Sequence, residues 1–130
     1  MIKTHGIAHF SIPVTDTERS KEFYMKNLGM SLLADVGGMV FLDSGGDCVI
    51  LVKVDKPIST AGVIDMHHSF LVGHDDYEAA CKELRENGVK MLYDEDRRGG
   101  VVNGPRTYFA DPDGNTLEII DLTSYKGNKI

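Results

Sequence analysis

The stretch His9-Phe-Ser-Ile-Pro-Val14 returns in altered form as His67-His-Ser-Phe-Leu-Val72, and this repeat decides the predicted fold. Each copy is followed by an acidic turn and by a segment with the apolar spacing of an amphipathic helix. Both helical segments end at a glycine, Gly29 or Gly88, where a left-handed residue commonly closes a helix. The leading histidines are 58 residues apart and the glycines 59, so the chain is predicted to contain two copies of one folding unit.

Each copy is predicted to form a strand, a helix and three further strands. In the first unit the strand is expected at 8–14, the helix from the capping residues 15–17 to about Asn27, and the later strands near 30–36, 38–43 and 47–54. In the second unit the corresponding elements are expected near 65–73, 76–87, 89–94, 105–110 and 115–121. This order predicts an α+β protein of two βαβββ modules, each a curved sheet with its helix outside. Together they would form a half-open eight-stranded mixed barrel, within one chain or across two.

The length of 130 residues suits a single domain, here divided into module one at about 5–55, a linker at 55–64 and module two at about 65–122. The second module is about ten residues longer than the first, and the extra residues fall between Glu95 and Pro105. We therefore expect a longer, mobile loop there, placed to cover a site.

Charge and hydropathy exclude several classes of partner. The formal net charge is -6 and no basic run is present, so nucleic-acid and membrane-surface binding are not expected. No apolar stretch approaches the ~18 residues of a membrane span, and no signal peptide is recognisable, so a cytoplasmic protein is expected. Cys48 and Cys81 are interpreted as buried thiols rather than as a disulfide or a nucleophile.

The faces of the first strand of each unit point to a shared polar hollow. Side chains of a strand alternate between its two faces, so Ile12 and Val14 lie on an apolar face while His9 and Ser11 lie on the other. The same alternation selects His67, not His68, as the equivalent of His9 in the second unit. We predict that both histidines project into the concave side of the sheet.

Glu118 is predicted to join them, because Leu117 and Ile119 of the last strand would pack on the helix and leave the carboxylate facing the hollow. A buried carboxylate is costly unless it is paired, and a divalent cation between His9, His67 and Glu118 would remove that cost. Such a ligand set suits Fe, Mn, Ni, Co or Zn, one ion per site. The alternative is an ion pair of Glu118 with Arg106 across the sheet. The other histidines (His5, His68 and His74) are not expected to be ligands.

The motif Tyr108-Phe-Ala-Asp-Pro-Asp-Gly-Asn-Thr-Leu-Glu118, with the histidine repeats and Leu28-Gly29-Met30, resembles the vicinal oxygen chelate superfamily. That superfamily includes glyoxalase I, extradiol dioxygenases, fosfomycin-resistance enzymes and bleomycin-binding proteins. The resemblance implies a glyoxalase-like fold, a homodimer, and a metal ion held by His9, His67 and Glu118. Ile50 stands where glyoxalase I has a fourth protein ligand and cannot ligate, so three protein ligands are expected.

The resemblance also implies one catalytic residue, and the arginines of the sequence suggest a second. Tyr108 matches an active-site tyrosine whose hydroxyl would donate to an oxyanion of the substrate; the alternative is a tyrosine of the core. Arg106 would bind an anionic substrate, as would Arg97 and Arg98 of the extra segment, unless these arginines are simply solvated.

Two classes of function follow from this sequence. The favoured one is a divalent-metal-dependent enzyme, a lyase or isomerase or a dioxygenase, acting on a small oxygenated substrate. The alternative is a metal-free protein that binds a drug or another small molecule, similar to bleomycin-resistance proteins. No organic cofactor is expected in either case.

Overall fold

The computed structural model describes residues 1–60 and 65–125, and the chain divides into two compact units, Met1–Ile58 and Ser59–Ile130. The predicted linker at 55–64 spans this boundary, and its residues 61–64 lie outside the described part. Each unit contains a sheet and a helix, so the predicted α+β class is confirmed. None of the helices in the described ranges is both long and apolar enough to cross a membrane.

The first unit has the predicted βαβββ order. It consists of β1 (His9–Val14), α1 (Thr17–Leu28), β2 (Ser31–Asp35), β3 (Met39–Ser44) and β4 (Asp47–Lys53). Strand β1 pairs parallel to β4, and the other neighbours pair antiparallel in the order β1-β4-β3-β2. A parallel pair needs a crossover connection, and the helix with its two following strands provides it.

Local chemistry fixes both ends of α1. The Asp16 carboxylate accepts a hydrogen bond of 3.0 Å from the backbone N–H of Arg19, which satisfies one of the unpaired donors of the first turn. At the other end Gly29 adopts φ 62°, a left-handed conformation that costs glycine little. Between these caps Tyr24 is fully buried and contributes to the core of the unit.

The second unit repeats this order and adds a short strand. Its elements are β5 (His68–Leu71), α2 (Tyr77–Glu86), β6 (Lys90–Arg97), β7 (Val102–Ala110), β8 (Thr116–Ile120) and β9 (Ser124–Tyr125). The sheet order is β5-β8-β7-β6, with β9 paired to β7. Strand β5 is shorter than the predicted 65–73, and β9 was not predicted. The apolar stripe of α2 is confirmed, since Tyr77, Cys81 and Leu84 are all buried.

The turn before β8 is built around one buried carboxylate. The Asp111 side chain accepts hydrogen bonds from the backbone N–H of Asp113 at 2.9 Å and of Asn115 at 2.8 Å. Its second oxygen accepts from the Asn115 side-chain amide at 2.8 Å. These bonds compensate for the burial of the carboxylate and fix the start of the strand that carries Glu118.

The extra residues of the second unit do not form the expected mobile loop. Strands β6 and β7 continue as a hairpin, with Glu95 opposite Arg106 and Arg97 opposite Gly104. Only residues 98–101 lie between the two strands. The prediction was wrong because the segment's glycines and arginines suggested a loop, whereas backbone pairing extends the ladder to its tip.

Two contacts hold the segment that follows β8 against β7. Asp121 donates its backbone N–H to the Pro105 carbonyl at 2.9 Å, and Thr123 donates to the Asn103 carbonyl at 3.0 Å. Gly104 lies between these acceptors with φ +129°, and a Cβ on it would lie 1.9 Å from the Asp121 carbonyl oxygen. The close approach of the two backbones therefore requires glycine at this position.

We predict that Gly104→Ala lowers the free energy of unfolding by at least ~3 kcal/mol, because the side chain adds a backbone clash to an unfavourable φ. Urea denaturation measures the loss. The matched control is Gly99→Ala, since Gly99 also has a positive φ of 77° but open space around it. That variant is expected to lose only about 1 kcal/mol. Equal losses in the two variants would contradict the clash.

A histidine–carboxylate pair joins the loop after β5 to the end of β8. His74 Nδ1 lies 2.7 Å from Asp121 Oδ2, and the carboxylate is almost fully buried while the imidazole is exposed. The hydrogen bond and charge of Asp121 raise the pKa of His74 above its ordinary value of 6.5.

This pair makes stability depend on pH in one direction. Because the folded protein holds the His74 proton more tightly, the contribution is complete below pH ~6.5 and is lost as pH rises through the raised pKa. We predict that the urea midpoint of the wild type exceeds that of His74→Gln at pH 5.5, and that the difference shrinks by pH 8.5. A difference that grows with pH would contradict this assignment.

Candidate metal centre

Glu118 is the centre of the polar cluster in the second unit. It lies on β8 between β5 and β7, with Ser69 and Tyr108 as its cross-strand neighbours. Its side chain is only 2% exposed. The strand positions of these residues thus bring a carboxylate, a serine hydroxyl and a phenol together on one face of the sheet.

The two oxygens of the Glu118 carboxylate have different surroundings. Oε1 accepts a hydrogen bond of 2.5 Å from the Ser69 hydroxyl. Oε2 lies 3.4 Å from His67 Nε2, but it is buried and accepts no hydrogen bond from any group within residues 1–60 and 65–125. A buried anionic oxygen without a donor is costly. A divalent cation held by Glu118 and His67 would compensate the buried carboxylate oxygen, so the donor set fits a metal ion.

Aromatic packing holds His67 beside the carboxylate. The His67 and Tyr108 rings meet edge to face, with centroids 5.2 Å apart, and Tyr93 stacks on Tyr108 with centroids 4.6 Å apart. Tyr108 is 1% exposed whereas Tyr93 is 41% exposed. The three rings therefore form a continuous series of contacts from the surface to the candidate ligands.

The Tyr108 hydroxyl is held in its neutral form. Burial raises its pKa far above the ordinary value of 10.0, and the neighbouring Glu118 carboxylate raises it further because a phenolate would lie beside a negative charge. Tyr108 is thus a hydrogen-bond donor at every physiological pH. Tyr108 lies opposite Glu118 in the register of β7 and β8, and its catalytic role stays a prediction.

Arg106 is engaged with the backbone of β7, and its role toward a substrate stays a prediction. Its guanidinium is buried and donates to the carbonyl oxygens of Val102 at 2.9 Å and Gly104 at 3.3 Å. The alternative ion pair with Glu118 is not among the contacts that these described side chains make. Arg106 therefore braces the backbone of β7 near Val102 and Gly104, two residues from Tyr108 on the same strand face.

The arginines at the tip of the hairpin are also engaged. Arg97 Nε lies 3.1 Å from Glu95, and Arg98 lies 2.7 Å from Asp96. These exposed pairs agree with the interpretation of solvated arginines more closely than with an anion site.

In the first unit, His9 lies on the face of β1 that its strand pattern predicts. His9 and Ser11 are exposed on one face of β1, while Ile12 and Val14 are buried on the other. Across residues 1–60 and 65–125, the structure groups no three His, Cys, Asp or Glu side chains as a metal site. It unites two of the three predicted ligands, His67 and Glu118, and the role of His9 stays a prediction.

The remaining predictions concern the environments of His68, Cys48 and Cys81. His68 is half-buried opposite Leu117, and burial lowers its pKa, in agreement with a place on the helix side of the sheet. Cys81 is buried as predicted, whereas Cys48 is only partly so, and both thiols are free.

Two members of the cluster were not identified from the sequence. Ser69 stands in the second unit where Ser11 stands in the first, and strand alternation places it on the same face as His67. The sequence gives no indication that it donates to Glu118. Tyr93 was missed because a register shift between Met91 and Tyr93 changes the face on which the later residues of β6 lie. Strict alternation cannot reveal such a residue.

Comparison with known proteins identifies relatives of three kinds. Metallothiol transferase FosB of Staphylococcus haemolyticus is 31% identical over 120 residues, which cover 92% of this chain and 84% of that protein. Lactoylglutathione lyase of Escherichia coli O157:H7 is 28% identical over 127 residues, covering 88% and 91%. The fosfomycin resistance protein FosX of Listeria monocytogenes, solved with Mn(II) and a sulfate ion, superposes with a TM-score of 0.77 at 16% identity, covering 92% and 91%.

The structural match confirms the predicted glyoxalase-like fold. The family model described as the glyoxalase/bleomycin resistance protein/dioxygenase superfamily matches residues 6–119. Since that match covers most of the chain, this protein belongs to the glyoxalase/bleomycin resistance protein/dioxygenase superfamily.

Proposed function

We propose that this protein is a divalent-metal-dependent enzyme that acts on a small oxygenated substrate. The metal ion would be held by His67 and Glu118, with His9 as the third protein ligand. The observation that carries the proposal is the Glu118 carboxylate, whose Oε2 is buried beside His67 Nε2 without a hydrogen-bond donor within the described ranges. A protein that never bound a cation would gain stability by replacing such a group.

The relatives support the same class. The FosX structure contains Mn(II), and FosB is named as a metallothiol transferase. Lactoylglutathione lyase provides a second reaction class within the same superfamily. The homodimer implied by the sequence resemblance is part of this proposal, and sedimentation equilibrium measures it.

The chain's own residues would divide the work at the site. A bound divalent ion supplies Lewis acidity to oxygen atoms of the substrate. Ser69 fixes the orientation of Glu118 through its hydrogen bond to Oε1. Tyr108 stays protonated because of its raised pKa, and so it can donate a hydrogen bond to a substrate oxygen on which negative charge develops. Glu118 and Tyr108 are buried, which limits competition by water at the carboxylate and the phenol.

Among reaction types, the proposal favours lyase, isomerase or group-transfer chemistry over ring cleavage. The sequence contains five histidines, and none lies between His9 and His67 or between Gly99 and Thr107. Oxygen-dependent cleavage requires proton transfer by an additional acid–base residue, for which histidine is the usual choice. The dioxygenase alternative is therefore tested beside the others rather than preferred.

The first test of the proposal is metal binding. We predict that protein purified without an affinity tag binds close to one equivalent of Mn(II), Zn(II) or Ni(II), and that His67→Ala and Glu118→Gln lower the affinity at least ~100-fold because each removes a ligand. Isothermal titration calorimetry measures the affinity. His9→Ala is expected to behave as the other two if the third ligand is correctly assigned.

His68→Ala is the matched control for this series. It removes an adjacent imidazole that lies opposite Leu117 on the other face of β5, and it should leave metal affinity unchanged. A wild-type protein that binds none of these ions would contradict the proposal and favour the metal-free binding protein. Equal losses in the His67 and His68 variants would contradict the assignment of the ligand.

The second test concerns Tyr108. The metal-loaded protein should turn over one of three probe reactions: thiol addition to fosfomycin, isomerisation of a methylglyoxal–thiol hemithioacetal, or oxygen uptake with a catechol. We predict that Tyr108→Phe lowers kcat of the active reaction by ~10²–10³ with metal content unchanged, because it deletes a donor to the developing charge. Tyr93→Phe, which keeps the stacked ring, should retain activity within about threefold. Wild-type rates in Tyr108→Phe would exclude a catalytic role.

A further inference from the structure

A small apolar cavity opens on the face of the second unit that carries Glu118. We propose that it holds an uncharged apolar substituent of the substrate, an aryl group or a branched alkyl chain. The inference rests on the proposed function, because the oxygen-bearing part of the same substrate is assigned to the metal ion. It concerns the part of the substrate about which the metal-binding residues give no information.

The cavity has a volume of about 230 Å³. Its lining consists of Ser69, Leu71, Val102, Ile120, Leu122 and Tyr125. Five of these side chains are aliphatic or aromatic, the sixth is a serine hydroxyl, and none of the six carries a charge. Such a lining favours hydrocarbon over any ionised group.

Sheet register connects this cavity to the candidate ligands. Ser69 lies opposite Glu118, and Leu71 lies opposite Ile120, one pleat repeat further along the same two parallel strands. Alternate residues share a face, so the carboxylate and the apolar floor are separated by roughly 6.6 Å along the strands. Ser69 belongs to both, since it lines the cavity and donates to Glu118 Oε1. If a substrate binds the metal ion through its oxygen atoms, a substituent two or three bonds from those oxygens would lie over Leu71 and Ile120.

The size of the cavity indicates what that group is. Whole ligands usually occupy about 300–1,000 Å³, so this space takes a part of a ligand rather than all of it. An apolar cavity of about 150 Å³ accepts benzene, so a ring or branched chain of roughly six to eight carbons fits here. Leu71 is 57% exposed, so the floor is open to an entering group and its apolar surface is available for burial.

Within residues 65–125, the three arginines of the β6–β7 hairpin are already engaged with other groups. The Arg106 guanidinium donates to the carbonyl oxygens of Val102 and Gly104 and is 3% exposed. Arg97 and Arg98 pair with Glu95 and Asp96 at the tip of the hairpin. A phosphonate or carboxylate in the cavity would lose hydration without gaining a cation among the six lining residues, which favours a neutral substituent.

Chelating probes that differ only in their substituent test the inference. Hydroxamic acids present two adjacent oxygens to a metal ion, and calorimetry on the Zn(II)-loaded protein measures their binding without any turnover. We expect benzohydroxamic acid to bind about 10–100-fold more tightly than acetohydroxamic acid, because its ring is buried. Para-carboxybenzohydroxamic acid should bind at least ~10-fold more weakly than benzohydroxamic acid because its charge is desolvated.

Leu71→Asn is the diagnostic variant, because it replaces an exposed leucine with a polar side chain of similar size. It should reduce the preference for the phenyl group at least ~5-fold while leaving Zn(II) affinity unchanged. Leu33→Asn is the matched control, since Leu33 is 58% exposed and does not line the cavity, and it should keep the preference.

The outcomes separate this inference from the proposed function. Suppose the protein binds Zn(II) but has equal affinity for the three hydroxamic acids, or binds the carboxylated one most tightly. Either result would overturn the apolar subsite and leave the metal site standing. The apolar subsite is also overturned if Leu33→Asn abolishes the preference as strongly as Leu71→Asn. A wild-type protein that does not bind Zn(II) or Mn(II) overturns both the subsite and the metal site.

Discussion

The burial of the Glu118 carboxylate is the constraint on which the second unit depends. A carboxylate that is 2% exposed must find donors, and the fold gives one oxygen the Ser69 hydroxyl while leaving the other facing His67. Removal of such a group from water costs several kcal/mol unless a partner offsets it. Most of the surrounding features, from the tyrosine stack to the anchored turn before β8, act to keep this carboxylate in one place.

The anchoring of the cluster comes from short-range chemistry at some distance from it. The Asp111 turn fixes the beginning of β8, and the Asp121 and Thr123 backbone bonds fix the segment after it. Between those points every residue of β8 is buried, so the strand has little freedom to rotate or slip. The position of Glu118 is therefore set by backbone pairing, and the side chain needs only one rotamer to meet His67.

Much of the fold could be predicted from the sequence because its signals are periodic and local. The alternation in β1 placed His9 and Ile12 on opposite faces, and the spacing of Tyr77, Cys81 and Leu84 identified the buried stripe of α2. The extension of the β6–β7 hairpin to Arg97 and Val102 escaped prediction because its pairing joins residues whose sequence resembles a loop. Strand β9 escaped because two residues carry no period at all.

The candidate site was predictable to the same extent. Parity was enough to select His67 over His68 and to turn Glu118 toward the same face, whereas Tyr108 was identified from the family resemblance. The engagement of Arg106 with the Val102 and Gly104 carbonyls was not predictable, because it depends on where a long flexible side chain finds acceptors. Tyr93 was hidden by a bulge, which reverses the alternation that the prediction used.

The segment 121–125 crosses β7, and as a result the shape of the apolar cavity and the identity of the candidate ligands depend on different residues. Leu122 and Tyr125 lie on this segment and form one wall of the apolar cavity, while Glu118 lies on β8 and His67 lies just before β5. Substitutions at these two positions can reshape the wall without touching the residues that perform the chemistry. A fold arranged in this way can acquire new selectivity by exchanging side chains along one short piece of backbone, and it need not rebuild its reactive centre to do so.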